Sequence, residues 1–156
     1  MIKIEFVDQL SYEIENIMRQ DLVHYESSHG VDVNYKPLSL ILRKDNEVVG
    51  ILNAFTAYSE VYIDDMWVHS KHRSKGYGKQ LIEELENNFI GKGFNNINLV
   101  TSEFQAPEFY MKCGFELEFT RKNLKHPKLT KFFFVKFFDD KIQRHGIIGR
   151  QAADQL

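Results

Sequence analysis

Hydrophobic positions at the start of the chain follow two different periods. Residues 2–7 ("IKIEFV") alternate apolar and charged side chains, and this alternation predicts a β-strand. From Ser11 onwards the apolar positions recur every three or four residues, which predicts a helix that continues to about His29. Ser11 is suited to the N-cap of this helix, and Gly30 is suited to end it. The chain is therefore predicted to open with a strand and a helix.

Three strands and a second helix are predicted next. "PLSLILRK" and "EVVGILNAFTAY" flank the turn pair Asp45-Asn46, which predicts a β-hairpin, and "EVYIDDMWV" predicts a third strand. After Gly78 the apolar residues form one helical stripe, and the glutamates of the same segment face away from it. The residues of the stripe are Leu81, Ile82, Leu85 and Phe89.

The second half of the chain repeats this alternation of strand and helix. "FNNINLVTS" predicts a strand, and "QAPEFYMKCGF" predicts a short helix with Pro107 in its first turn and Gly114 beyond its end. "FELEFTR" and "TKFFFVKFF" predict two closing strands, the second one buried. The order predicts a mixed α/β sheet in which an antiparallel meander feeds a parallel pair. Residues 1–138 are predicted to form the domain, and residues 139–156 a polar extension.

Composition and charge narrow the classes of function. The chain has 156 residues, 43% hydrophobic and 27% charged, which is typical of one folded globular domain. Its formal charge of −2 argues against a dedicated nucleic-acid binder. No apolar run approaches the roughly 20 residues of a membrane span, and the first residues lack the apolar core of a signal peptide. We therefore expect a cytoplasmic protein without a membrane partner.

Cysteine and histidine do not indicate a metal site. Cys113 is the single cysteine of the chain, so an intramolecular disulfide is excluded, and we expect its side chain to pack behind the short helix. The six histidines show no metal-ligand spacing with carboxylates or with Cys113. No metal cofactor is therefore expected.

The segment "HRSKGYGKQ" places glycines and cations where the second helix begins. The helix is predicted to start near Gly76 or Tyr77, so its first free amides belong to a segment that an anion could approach closely. The side chains of Arg73, Lys75 and Lys79 add positive charge. The Walker and dinucleotide patterns both fail, because Lys79 is followed by Gln80 and Leu81 stands where a third glycine is needed. By itself the pattern also fits a solvated basic turn.

Two motifs together resemble the GNAT superfamily of N-acyltransferases. "RSKGYG", which follows "MWVHSKH", resembles the acyl-CoA pyrophosphate loop of that family, and "APEFYMKCGFE" is similar to its second signature. The resemblance implies a single-domain GNAT-like fold with a mixed, mostly antiparallel twisted sheet, flanking helices and a splayed parallel strand pair. It also implies acetyl-CoA as the cosubstrate.

The resemblance assigns the binding residues. The pyrophosphate would bind backbone amides of the loop, with Lys79 close by, and the pantetheine arm would pair with the end of the preceding strand. Trp67 is also suited to the core or to a substrate wall. Glu103 stands where the family often has an asparagine that contacts the cofactor. Because the residue differs, Glu103 could either contact the cofactor or face the acceptor. The assigned residues are Met66, Trp67, Val68, Arg73, Ser74, Lys75, Gly76, Tyr77, Gly78, Lys79 and Glu103.

The catalytic assignments concern proton transfer. Tyr110 matches the tyrosine of the family that donates a proton to the departing CoA thiolate, a step that a phenol can perform. The acceptor amine must lose a proton, and Asp64 and Asp65 are candidate bases, of which only one can face a given site on a regular strand. Either could instead lie on a solvated sheet face, and Glu60 and Glu103 are weaker candidates.

These observations predict an acetyl-CoA-dependent N-acetyltransferase that works by direct transfer to an amine. The alternative is a non-catalytic CoA-binding sensor or scaffold of the same fold. The acceptor is expected to be a small-molecule or peptide amine. The net negative charge of the chain and the acids of the third strand favour a cationic amine. A nucleic-acid partner is not expected, and a homodimer is compatible with the sequence.

Overall fold

The structure, a computed structural model, describes residues 1–138, and the predicted extension at residues 139–156 lies outside them. The described residues divide into two compact units, one formed by Met1–Asn34 and one that begins at Tyr35. The first unit contains helix α1, Tyr12–Ser28. The Oγ of Ser11 accepts a hydrogen bond from the N–H of Ile14 at 3.4 Å, and Gly30 leaves the helix with φ of +70°. The predicted start and end of this helix are therefore confirmed.

The predicted first strand is wrong. Residues 2–7 do not form a strand in the structure. Alternation decides which side chains can share a face, but a strand exists only where its backbone pairs with a neighbour. The observed order begins with α1 for this reason.

The second unit is built on a six-stranded sheet among the described residues, with the order β1-β2-β3-β4-β6-β5. Every neighbouring pair is antiparallel except β3 and β4. The predicted hairpin turn is present, since Asp45 and Asn46 have φ of +48° and +67°. The mixed α/β class is thereby confirmed. The strands are β1 Lys36–Lys44, β2 Glu47–Ala57, β3 Glu60–Val68, β4 Asn96–Ser102, β5 Glu116–Arg121 and β6 Lys131–Phe137.

The other two helices pack on one face of this sheet, which we call the helix face. They are α2, Tyr77–Phe89, and α3, Pro107–Lys112, and both contribute to a common hydrophobic core. The stripe predicted for α2 is confirmed by three of its four residues, which are buried, while Phe89 packs at the edge of the core. The buried residues of the core include Leu52, Val61, Ile63, Leu81, Ile82, Leu85, Ile97, Leu99, Tyr110 and Phe134.

The opposite side of the sheet, which we call the far face, carries the intervening residues. Tyr62 lies between the buried residues Val61 and Ile63, and Asn98 lies between Ile97 and Leu99. Because successive side chains of a strand point to opposite sides, Tyr62 and Asn98 belong to the far face. Polar and aromatic side chains therefore occupy a surface that α2 and α3 do not cover.

The parallel strands β3 and β4 part soon after they meet. Within the described residues they pair at three positions, Glu60 with Asn96, Val61 with Ile97 and Tyr62 with Asn98. Beyond Tyr62, strand β3 continues to Val68 while paired with β2 alone, and β4 continues beside β6. The predicted splayed pair is confirmed, and it leaves one edge of β3 free for a partner.

Lys136 links three elements of the helix face. Its Nζ lies 2.7 Å from Oε2 of Glu86 on α2, and it donates a hydrogen bond of 3.0 Å to the carbonyl of Cys113, at the end of α3. Both side chains of the ion pair are only 23% exposed. The lysine thus satisfies a helix-end carbonyl and a partly desolvated carboxylate at the same time.

We expect Lys136→Met to lower the free energy of unfolding by about 1–2 kcal/mol, because it leaves the Glu86 carboxylate and the Cys113 carbonyl without their donor. Lys131→Met, at the exposed start of the same strand, is the matched control and should change it by less than about 0.5 kcal/mol. Urea unfolding of both variants measures the difference. Equal effects of the two substitutions would contradict the role of Lys136.

Candidate functional site

The segment between β3 and α2 is held by a short aromatic path. The Nδ1 of His69 accepts a hydrogen bond from the N–H of Lys71 at 3.2 Å, which caps a 3-10 turn, Ser70–His72. The ring of His72 lies 5.8 Å from that of His69 and 6.2 Å from that of Tyr77, the first residue of α2. These contacts fix the conformation of the segment that connects β3 to α2.

Arg73 ties the following loop to the end of β3. Its Nε donates a hydrogen bond to the carbonyl of Val68 at 3.2 Å. Ser74 and Gly76 then adopt left-handed conformations, with φ of +61° and +81°. Glycine suits such a conformation, and the two positions turn the backbone sharply into α2.

The start of α2 has free amide groups and open space in front of them. Gly76 is the N-cap and has no side chain to cap the helix, and the first intrahelical bond is donated by Gln80 to the Gly76 carbonyl at 3.1 Å. The three amides at residues 77–79 therefore have no intrahelical partner. A Cβ at Gly76 would meet no atom within 4 Å. Such a helix start can bind an anion such as a phosphate group.

The second glycine of the segment has a packing role. Gly78 is buried, and a Cβ there would lie 2.9 Å from Cζ of Phe109 and 3.6 Å from Cε of Met66. The absence of a side chain lets α3 pack against the first turn of α2. The two glycines that look equivalent in the sequence thus differ, since Gly76 faces open space and Gly78 faces Phe109.

The cations of the segment are exposed. The side chains of Lys75 and Lys79 are open to solvent, and Lys79 forms an ion pair of 3.6 Å with Glu83, one helical turn later. A pair of this kind contributes little to stability, so Lys79 can exchange Glu83 for another anion.

The end of β3 divides its side chains between the two faces. Met66 packs against the core on the helix face. Trp67 is 41% exposed, pairs in register with Ile51 on the far face and meets the His69 ring edge-on at 5.8 Å. Its side chain therefore lies outside the hydrophobic core, which leaves the alternative of a substrate wall.

Asp64 and Asp65 lie at a β-bulge. Asn53 pairs with Asp65 and Ala54 pairs with Ile63, so Asp64 is the extra residue, and both aspartates are exposed. The Nδ2 of Asn53 donates to Asp65 at 3.4 Å, which places Asp65 on the far face. Strict alternation between the two aspartates does not apply here, because the bulge interrupts it.

Glu103 lies beyond the end of β4. It begins a 3-10 turn, Glu103–Gln105, its side chain is exposed, and its N–H donates to the Thr130 carbonyl at 2.9 Å. The structure records this backbone contact, and the role of the Glu103 side chain stays a prediction.

Tyr110 of α3 is enclosed by aromatic rings. Its side chain is 9% exposed, and its ring lies 5.2 Å from that of Phe109 and 6.0 Å from those of Phe115 and Phe134. Burial raises the pKa of the Tyr110 phenol above its ordinary value, so the hydroxyl is neutral at pH 7, as an exposed tyrosine would also be.

Cys113 packs next to α3 as predicted. It is 8% exposed, and burial raises the pKa of its thiol. A raised pKa keeps the thiol neutral, and a neutral buried thiol behaves as a small hydrophobic side chain. Cys113 is therefore part of the core.

The far face contains a cavity of about 350 Å³, which we call the polar pocket. The hydroxyl of Tyr62 donates to the Glu60 carboxylate, whose other oxygen accepts from Nδ2 of Asn96 at 3.1 Å. Nδ2 of Asn98 in turn donates to Oδ1 of Asn96 at 2.8 Å. The pocket is lined by Glu60, Tyr62, Asn95, Asn96, Asn98, Glu118, Val135 and Phe137.

Two side chains of the polar pocket, Tyr62 and Glu118, have raised pKa values. The hydrogen bond to Glu60, followed by burial and the Glu60 charge, raises the pKa of Tyr62 to about 12. Partial burial, with the charge of Glu60 in second place, raises the pKa of Glu118. Of the residues that line this pocket, only Glu60 was a candidate from the sequence, as a weaker candidate base. Polar residues two positions apart, at 60 and 62 and again at 96 and 98, are the signal that could have revealed the pocket.

The described part of the chain contains neither a cluster of metal-ligating side chains nor a membrane-spanning helix. Residues 1–138 contain no group of three or more histidine, cysteine, aspartate or glutamate side chains placed to hold a metal ion. Within the same range, no helix combines the length and the apolar character that crossing a membrane requires.

Solved structures with the same fold come from several acetyltransferases. The chain is similar to an acetyltransferase from Bacillus cereus ATCC 14579, with 27% identity, a TM-score of 0.69 and coverage of 85% of this chain and 97% of the other. It is similar to a protein from Agrobacterium tumefaciens assigned as an acetyltransferase, with 22% identity, a TM-score of 0.73 and coverage of 87% and 99%.

A third structure of this fold is an aminoglycoside 6'-N-acetyltransferase complexed with coenzyme A, with 18% identity, a TM-score of 0.59 and coverage of 90% and 99%. No curated protein sequence gives a significant match. The family model described as "Acetyltransferase (GNAT) family" matches residues 7–115, which include the loop motif and the second motif as far as Phe115. The chain therefore belongs to the GNAT acetyltransferase family.

Proposed function

We propose that the protein is an acetyl-CoA-dependent N-acetyltransferase that moves an acetyl group to a primary amine by direct attack. The observation that carries the proposal is the open, uncapped start of α2 at Gly76, directly after the strand that parts from β4. Membership of the acetyltransferase family supports acyl transfer. The similar aminoglycoside 6'-N-acetyltransferase was solved with coenzyme A, which supports the choice of cosubstrate.

The loop and the start of α2 would bind the pyrophosphate of acetyl-CoA. Free amides and the helix dipole favour negative charge at Gly76, and no atom of the chain fills the space in front of it. The exposed cations Lys75 and Lys79 add a favourable potential. The loop residues proposed for this contact are Arg73, Ser74, Lys75, Gly76, Tyr77 and Gly78, with Lys79 beside them.

The free edge of β3 would bind the pantetheine arm. The backbone from Met66 to Val68 pairs with β2 on one side and has no β4 partner on the other. Backbone groups need hydrogen-bond partners, and an extended ligand that contains amides can supply them by adding to a strand edge. The arm would thereby run from the pyrophosphate towards the point where β3 and β4 meet.

The proposed reaction needs two proton transfers. The neutral amine attacks the thioester carbonyl, the C–S bond breaks as the tetrahedral intermediate collapses, and the amide product forms. The amine proton passes to Asp64 or Asp65, directly or through water, since both exposed carboxylates lie at the bulge of β3. Tyr110 gives its proton to the departing thiolate sulfur and recovers one from solvent.

The acceptor would be a small-molecule or peptide amine. A second function, CoA binding without catalysis, uses the same loop but needs no proton donor beside the thiol. The position of Tyr110, which matches the proton-donating tyrosine of the family motif, favours the enzyme. The cytoplasmic location and a homodimer stay predictions.

We expect Gly76→Ala to weaken CoA binding by at least about tenfold, or about 1.4 kcal/mol, because its Cβ enters the space proposed for the pyrophosphate. Gly93→Ala is the matched control, since Gly93 has φ of +84° against +81° and an equally open Cβ position. Both variants should lose about 1 kcal/mol of stability through backbone strain. Calorimetric titration with CoA measures the affinities, and equal affinity in both variants would mean that the loop is only a turn.

We expect Tyr110→Phe to lower kcat by about 10²–10⁴, with little change in acetyl-CoA affinity, because it removes the proton donor and keeps the ring. The loss should shrink above the pKa of the CoA thiol, about 8.5, where the thiolate leaves without a proton. Tyr35→Phe, at an exposed ring, is the control. Steady-state kinetics across pH checks the expectation, and a kcat unchanged at every pH would end the proposed role.

A further inference from the structure

We propose that the acceptor carries a second positively charged group and that the polar pocket binds it. The reacting amine and this second cation would then belong to one elongated organic molecule. The inference rests on the proposed N-acetyltransferase function, because it identifies the class of amine that the enzyme would accept.

The polar pocket adjoins the point where β3 and β4 part. Tyr62 and Asn98 are the last residues that pair across the two strands, and both line the pocket. Tyr110 and the start of α2 lie with the helix face, whereas the pocket lies on the far face. An acceptor that approaches from the far face therefore reaches the gap in the sheet without displacing a cosubstrate bound along the edge of β3.

The charges of the pocket favour a cation. Glu60 and Glu118 both line it, and none of its lining residues is a lysine, an arginine or a histidine. The two carboxylates are close enough that the charge of Glu60 contributes to the raised pKa of Glu118. A positive group between them would replace this repulsion by attraction to both carboxylates.

Two hydrogen bonds fix the orientation of the Glu60 carboxylate. The Tyr62 hydroxyl and Nδ2 of Asn96 each donate to one oxygen of its carboxylate, and Asn96 is only 5% exposed. Each carboxylate oxygen can accept a second hydrogen bond, so an ammonium group can still bind. Because the carboxylate is already oriented, binding costs less conformational entropy.

The lining of the pocket is mainly polar, and Tyr62 and Phe137 contribute its aromatic parts. The ring of Tyr62 stacks on that of Phe55, with centroids 4.9 Å apart, and Val135 and Phe137 line the pocket as well. The face of an aromatic ring in the lining can attract a cation. An alkylammonium group suits this combination of carboxylates and aromatic rings.

The second cation would lie some distance from the reacting amine. Asp65, at the bulge, is on the far face three positions beyond Tyr62 along β3. At about 3.3 Å per residue, the two positions are about 10 Å apart. An acceptor with two amines separated by a chain of this length would reach from the polar pocket to the proposed base.

Two probes of matched length test the inference, 1,8-diaminooctane and 8-amino-1-octanol. They differ in one terminal group, which is charged in the first probe and neutral in the second. Calorimetric titration into the full-length protein with CoA present should give at least about tenfold tighter binding of the diamine. The doubly substituted variant Glu60→Gln with Glu118→Gln should lose this preference, whereas Glu84→Gln, an exposed glutamate of α2, should keep it.

Equal affinity for the two probes, no measurable binding of the diamine, or a preference that survives in the double variant would overturn the inference. Circular dichroism establishes that the variants are folded. Release of the CoA thiol with the same probes tests the proposed function separately. If the protein prefers the diamine but transfers no acetyl group to it, the result would overturn the proposed acetyltransferase function and leave the cation-binding pocket in place.

Discussion

The parting of β3 and β4 is the constraint on which the rest of the site depends. The two strands share three register positions, and after Tyr62 the backbone of β3 loses its parallel neighbour. A strand edge inside a sheet is costly unless something pairs with it or enters the gap. The same parting leaves an edge of β3 to which an extended ligand could add.

Backbone conformation shapes the segment after β3, where we propose the anion site. Arg73 holds the strand end through the Val68 carbonyl, and Gly76 reverses the chain with a positive φ. The helix that follows starts without a side-chain cap, so its amides remain available. Gly78 contributes to the packing of this helix start. Because it has no side chain, Phe109 can lie against it, and α3 packs close to the loop.

The two faces of the sheet divide the proposed chemistry. The helix face is apolar around Tyr110, and burial there raises the pKa of its phenol. The far face is polar, with Glu60 held by Tyr62 and Asn96 and with Asp65 beside Asn53. The proposed proton donor for the thiolate and the acids proposed to bind a cationic amine thus belong to opposite faces of the sheet.

Local signals in the sequence determined most elements of the fold. Hydrophobic period, turn residues and helix caps are properties of neighbouring residues, so α1, the hairpin at Asp45 and the start of α2 were all predictable. The predicted strand at residues 2–7 failed because pairing with a neighbour is not local. The two family motifs identified the loop and Tyr110 for the same reason, since each motif is contiguous.

Only the tertiary structure decided which residues meet across strands. It separated the open position of Gly76 from the packed position of Gly78, although the two residues lie two apart. It introduced the bulge that frees Asp64 from strict alternation, and it gathered Glu60 and Glu118 from distant parts of the chain into one pocket. Register, bulges and strand order depend on contacts between segments far apart in sequence, and the sequence pattern of a single segment does not contain them.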